Sequence, residues 1–162
     1  MSRILVVFYS RTGHTKKLAG EIAAALDADV EEIIEAAASR VNGWTYLRSA
    51  WRALSGKATP IRPLYAQPAN YDLVIIGSPV WAGNMAAPVR AFLEEYKADL
   101  PDIAFFCTMG GSGGEKVIDR MAALAARRPF ARLVVTEGEL ASGHFREKVA
   151  VFAGRLRTEG LV

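Results

Sequence analysis

Short apolar runs alternate along the chain with longer segments in which apolar residues recur every three or four positions. The runs are Arg3–Tyr9 (RILVVFY), Tyr71–Ser78 (YDLVIIGS), Ile103–Cys107 (IAFFC) and Ala131–Thr136 (ARLVVT), with a weaker one at Asp29–Ile34 (DVEEII). Their length and branched or aromatic content predict strands. Leu73-Val74-Ile75-Ile76 has no polar alternation, which predicts a strand covered on both faces, as in a parallel sheet. Between the runs, His14–Leu26 places Leu18, Ile22 and Leu26 at a spacing of four, on one helical face. Ala87–Tyr96 predicts a helix with Pro88 in its first turn, where a missing N–H is harmless. Glu115–Arg127 predicts another, stopped near Pro129. Ser142–Arg157 predicts the last, with Phe145, Val149, Phe152 and Leu156 spaced four, three and four.

Five strands separated by helices imply an α/β fold, a doubly wound parallel sheet with helices on both faces, in a single domain spanning 1–162. One interval is too long for a simple crossover. Residues 36–70 contain Trp44, Leu47, Trp51 and Leu54, spaced three, four and three, which predicts an inserted amphipathic helix around 43–55.

Composition narrows the class. The 162 residues are 51% hydrophobic and 23% charged, as in globular proteins that bury a core without staples. No apolar run reaches membrane-spanning length and no signal-peptide pattern is present, so a cytoplasmic protein is expected. One cysteine excludes an internal disulfide and a cysteine-based zinc site. The net charge of +3 is mild. Its one concentration is Arg40, Arg48, Arg52, Lys57 and Arg62, with no acidic residue among them. This cluster reads as a solvated helix face or as a contact for an acidic partner or a nucleotide phosphate. Five residues without a recognition motif do not make a nucleic-acid site, and none is expected. Trp44 and Trp51 fit the core of the insert, a substrate pocket or a homodimer interface.

In an open α/β sheet, ligands sit beyond the carboxyl ends of the strands. After the first strand comes Ser10-Arg11-Thr12-Gly13-His14-Thr15. Its hydroxyls, its glycine and the open amides of the following helix suit a phosphate; a capped strand-to-helix turn without a ligand is the alternative. It is neither a P-loop nor a dinucleotide fingerprint. After the third strand comes Gly77-Ser78-Pro79-Val80-Trp81-Ala82-Gly83-Asn84. A Trp in such a loop offers a flat face to a flat ligand, or else folds back on the surface. After the fourth comes Thr108-Met109-Gly110-Gly111-Ser112-Gly113-Gly114, which suits close backbone approach to a ligand or simple flexibility. Elsewhere, His14 is either a phosphate donor or merely exposed, His144 reads as a surface residue, Cys107 as a buried structural thiol, and Glu115 as a favourable charge at a helix start. The two histidines lie far apart and imply no metal site. No nucleophile–base pair is present and no catalytic residue is assigned, as expected where a bound cofactor carries the chemistry.

Read together, VVFYSRTGHT, GSPVWAGN and TMGGSGG resemble the three ligand loops of the flavodoxin family, in order and across all five βα units. The resemblance implies strand order 2-1-3-4-5, and the uninterrupted fifth strand implies the short-chain type. It implies FMN as cofactor, with Ser10, Arg11, Thr12, Gly13, His14 and Thr15 at its phosphate. Pro79, Val80, Trp81, Ala82, Gly83 and Asn84 would flank the isoalloxazine on one side, Trp81 stacking on it. Thr108, Met109, Gly110, Gly111, Ser112, Gly113 and Gly114 would flank the other. Unlike acidic electron-carrying members, this chain has no charged residue in the second and third loops. Without carboxylates to repel the reduced, anionic ring, the second reduction step should be less negative and poorly separated from the first. Electron transfer with a redox partner protein is the leading expectation. An NAD(P)H-dependent reductase of a quinone or similar small acceptor is the alternative, and a non-redox binding module a second one.

Overall fold

The computed structural model describes residues 1–36 and 59–162. The inserted helix predicted around 43–55, with Trp44 and Trp51 and the basic residues Arg40, Arg48, Arg52 and Lys57, lies outside the described residues. The described elements are β1 (Ile4–Phe8), α1 (His14–Leu26), β2 (Asp29–Glu32), β3 (Leu73–Trp81), β4 (Asn84–Met85), α2 (Ala87–Tyr96), β5 (Asp102–Met109), α3 (Gly114–Ala125), β6 (Arg132–Thr136), α4 (Glu137–Ser142) and α5 (Phe145–Thr158).

Strands β2-β1-β3-β5-β6 pair in that order, all in parallel, and β4 pairs antiparallel with the end of β3. With the short β4 set aside, this is the order 2-1-3-4-5. The alternation of side chains along each strand divides the core in two. Val6, Phe8, Leu73, Ile75 and Phe106 face α1 and α5, meeting Leu18, Ile22, Phe145 and Phe152. Leu5, Val7, Val74, Ile76 and Phe105 face α2 and α3, meeting Val89, Phe92, Val117 and Met121. The unbroken apolar run of β3 therefore has the cause expected of it: both faces are covered, and Leu73 to Ile76 are fully buried.

Gly77 lies in register with Phe106 on β5. A Cβ at Gly77 would stand 2.0 Å from the Phe106 ring, so the ring crosses the strand where a side chain would otherwise project. Beyond β2 the chain leaves and returns as an antiparallel pair, Ala36 N–H donating to Pro60 O and Arg62 N–H to Ile34 O, both at 2.8 Å.

Two expectations change. The last helix begins at Phe145, not Ser142, because Gly143 takes a left-handed φ of 86° and ends a separate helix, α4. That helix is started by a capping box, Thr136 with Glu139, whose side chains each satisfy the other's backbone N–H. The second change is that β3 runs on to Trp81, through the segment read as a loop.

Gly77→Ala should lower the unfolding free energy by about 1–3 kcal/mol, since the added methyl displaces a buried ring. Urea denaturation would read this as a lower midpoint at unchanged slope.

Candidate functional site

The segments after β1, β3 and β5 all emerge at the carboxyl edge of the sheet, because parallel pairing brings these strand ends side by side. Gly13 adopts φ 96° and starts α1 without any side-chain cap. The first helical bond is Lys17 N–H to Gly13 O, and Ser10 Oγ accepts from Gly13 N–H at 3.1 Å. Among the described residues, the amides of His14, Thr15 and Lys16 have no protein acceptor. Three open amides at the positive end of a helix, beside the hydroxyls of Ser10 and Thr12, form a phosphate-sized donor set.

Thr15 reaches further. Its Oγ1 lies 2.8 Å from Thr108 Oγ1, with the two residues only 2% and 3% exposed. This buried bond ties the start of α1 to the end of β5 across 93 residues. Beyond Thr108, Met109 ends β5 and Gly110, Gly111 and Ser112 run exposed to Gly113, whose φ of 95° starts α3 as Gly13 starts α1. Among the described residues, no atom beyond the chain neighbours lies within 4 Å of a Cβ built on Gly110 or Gly111. The loop backbone is thus open to a ligand. Gly114 is closed for a different reason: its Cβ would meet Val134 at 2.5 Å and the Cys107 sulfur at 3.1 Å.

The second segment is a hairpin. Pro79, Val80 and Trp81 belong to β3, Ala82 and Gly83 form a two-residue turn at φ 48° and 71°, and Asn84 opens β4. Positive φ at both turn positions matches the tight hairpin turn that follows sheet twist. Trp81 is therefore held by strand pairing. Its ring, 37% exposed, meets Tyr9 edge-on at 5.6 Å between centroids, and the Arg11 guanidinium stands 5.7 Å over it. Buried Ser78 secures the hairpin's base, accepting from Ala86 N–H at 2.9 Å. The hairpin also comes against the glycine loop, with Gly83 Cα 3.8 Å from the Cβ position of Gly113. All three predicted segments therefore meet at one sheet edge.

Three participants escaped the sequence reading. Tyr9, directly before the phosphate-loop residues, packs on Trp81 and donates to Glu35 Oε2 at 3.4 Å. Its partial burial, and then the Glu35 carboxylate, push the phenol above its ordinary range. Glu35 brings a carboxylate to the site from beyond β2, a long-range approach without a local sequence signal. Arg120, on α3, donates to Gly83 O at 2.7 Å. Around these, His14 lies 3.4 Å from Glu137 and Lys16 3.2 Å from Glu32. Arg11 and Arg120 have no carboxylate within ion-pair distance among the described residues. His144 is exposed at the start of α5, and Glu115 lies in the first turn of α3, 3.6 Å from Arg132.

A family model described as Flavodoxin matches residues 3–152. The chain belongs to the flavodoxin family. Solved structures agree on the flavodoxin fold. A flavoprotein from Lactobacillus acidophilus NCFM, solved in complex with FMN, is 24% identical, with 88% of this chain and 98% of that one covered at a TM-score of 0.65. A flavoprotein from Bacteroides eggerthii is 21% identical, with 94% and 99% covered at 0.67. A WrbA-like flavodoxin from Agrobacterium tumefaciens is 19% identical, with 98% and 99% covered at 0.59. The residues present fit the nucleotide that a flavodoxin implies: open amides and hydroxyls for a phosphate, and a part-exposed indole and an exposed glycine loop at the same sheet edge for a flat ring.

Replacing Thr15 by Val should leave the Thr108 hydroxyl buried without a partner, at a cost of about 1–3 kcal/mol. Thr15→Val/Thr108→Val should cost less than the sum of the two single changes, a comparison that a denaturant-melt cycle makes directly. Cys107 is buried beneath the glycine loop, donating weakly to Gly114 O at 3.6 Å. Burial pushes its thiol from 9.0 up to about 12. The stability gained by keeping it neutral is full below pH 9.0 and lost as pH climbs towards about 12. Iodoacetamide should label native protein slowly in mildly alkaline buffer and unfolded protein rapidly.

Proposed function

We propose that the protein is an FMN-dependent redox protein that transfers electrons. The convergence of the three loops carries this reading, above all the uncapped N-terminus of α1 locked to β5 by Thr15 and Thr108. FMN is the cofactor, held at its phosphate by Ser10, Thr12 and the first-turn amides of α1. Trp81 and the glycine loop Met109–Gly113 enclose its ring. Bound FMN supplies electron transfer in one- and two-electron steps. The chain supplies position, exclusion of water and electric field.

The field favours negative charge on the ring. The two loops that flank it carry no carboxylate. Arg11 stands over Trp81 and Arg120 against Gly83. The Glu35 carboxylate is engaged by the Tyr9 hydroxyl. Both guanidiniums ease formation of the anionic reduced ring and raise its potential relative to a site lined with acids. A cytoplasmic location goes with this reading, a reducing compartment being suited to a lone thiol. Its electron source is a redox partner protein.

A second reading draws on Arg11. An exposed guanidinium beside the flavin-facing indole suits the phosphate of a pyridine nucleotide, which would make the protein an NAD(P)H-dependent reductase of a small acceptor such as a quinone.

Purified protein should be yellow and release FMN on denaturation; colourless protein that takes up no added FMN would disprove the reading. NADPH oxidation should require an added reductase if the protein is a carrier, and proceed with quinone alone if it is a reductase. Spectroelectrochemistry should find the two one-electron steps poorly separated.

A further inference from the structure

We propose that Arg120 is a positioning residue of the flavin site, clamping the Ala82–Gly83 turn against the glycine loop. The proposal builds on the FMN reading above. The turn has little else to hold it. β4 contributes two pairs, Val80 with Met85 and Trp81 with Asn84, and a ladder this short is marginal in water. Ala82 takes a left-handed φ of 48°, which is unfavourable for a residue with a Cβ. Among the described residues, nothing lies within 4 Å of a Cβ built on Gly83, so no side chain braces that face of the turn.

Arg120 comes from a firm base. Val117, Ile118 and Met121 seat α3 in the core with full burial. Helical side chains lean towards the N-terminus, so Arg120 reaches back along α3 to the hairpin. Its Nη1 donates to Gly83 O at 2.7 Å, a short, charge-assisted bond between elements 37 residues apart.

Two consequences follow for a bound flavin. Gly83 O is committed to the guanidinium and aimed at α3, which sets the orientation of the turn peptide facing the ring. The cation itself is placed at the hairpin tip, the same hairpin whose Trp81 carries the Arg11 guanidinium. Arg120 therefore acts on affinity by holding the turn and on potential by its charge.

The test compares wild type, Arg120→Met and Arg120→Lys by FMN titration, by the potential of the bound flavin, and by amide hydrogen exchange at Gly83 and Asn84 in the apoprotein. Arg120 is exposed, so all three should fold with similar melting temperatures. Arg120→Met should bind FMN about tenfold more weakly. It should also make the flavin potential more negative and speed exchange in the turn. Arg120→Lys, which keeps the charge and one donor, should restore most of the potential and part of the affinity. Equal affinity, potential and exchange in wild type and Arg120→Met would overturn the role of Arg120 alone. Wild type that takes up no FMN would overturn the flavin reading, and exchange in the apoprotein would then decide whether Arg120 holds the turn.

Discussion

Burial of the central strands on both faces governs the architecture. Leu73 to Ile76 of β3, like Leu5 to Val7 of β1, have no solvent-facing side. A strand in that position needs neighbours to satisfy its backbone and helices to cover both rows of side chains. Parallel pairing meets the first need. The crossover helices meet the second, α1 and α5 on one face, α2 and α3 on the other. Parallel pairing also sends every strand out at the same edge. The ligand site is thus a by-product of how the core is buried, and Gly77, which yields its side-chain space to Phe106, belongs to the same solution.

At that edge, polar groups do what apolar packing cannot. The Thr15–Thr108 pair is fully enclosed, so each hydroxyl depends on the other for a partner. It fixes the N-terminus of α1 against the end of β5, from which the glycine loop departs. Ser78 and Arg120 fix the hairpin from its base and from its tip. The glycines stay open along the exposed loop after β5, at Gly110 and Gly111, and are closed where the core demands it, at Gly114. The two kinds of glycine look alike in sequence and serve opposite ends.

Charge is distributed in the same spirit. His14 and Lys16, at the start of α1, lie beside Glu137 and Glu32, while Arg11 and Arg120, which contact Trp81 and Gly83, have no carboxylate within ion-pair distance among the described residues. The Glu35 carboxylate accepts from the Tyr9 hydroxyl.

Much of this was written in local patterns. Four-residue apolar spacing marked α1, and unbroken branched runs marked the buried strands, because periodicity directly records which faces are covered. The three loops could be read from glycines and hydroxyls, since residues that free the backbone or donate to phosphate are few. The short helix α4 and its capping box of Thr136 and Glu139 went unread, because Gly138 and Gly143 obscure the helical pattern. What composition could not convey was decided in three dimensions. Trp81 lies on a strand because β4 folds back to pair with it. Thr15 finds Thr108, Tyr9 finds Glu35 and Arg120 finds Gly83 because the sheet order brings together residues that are 93, 26 and 37 positions apart. Local sequence carries backbone preference and burial; the partners of a polar side chain depend on where the whole chain places them.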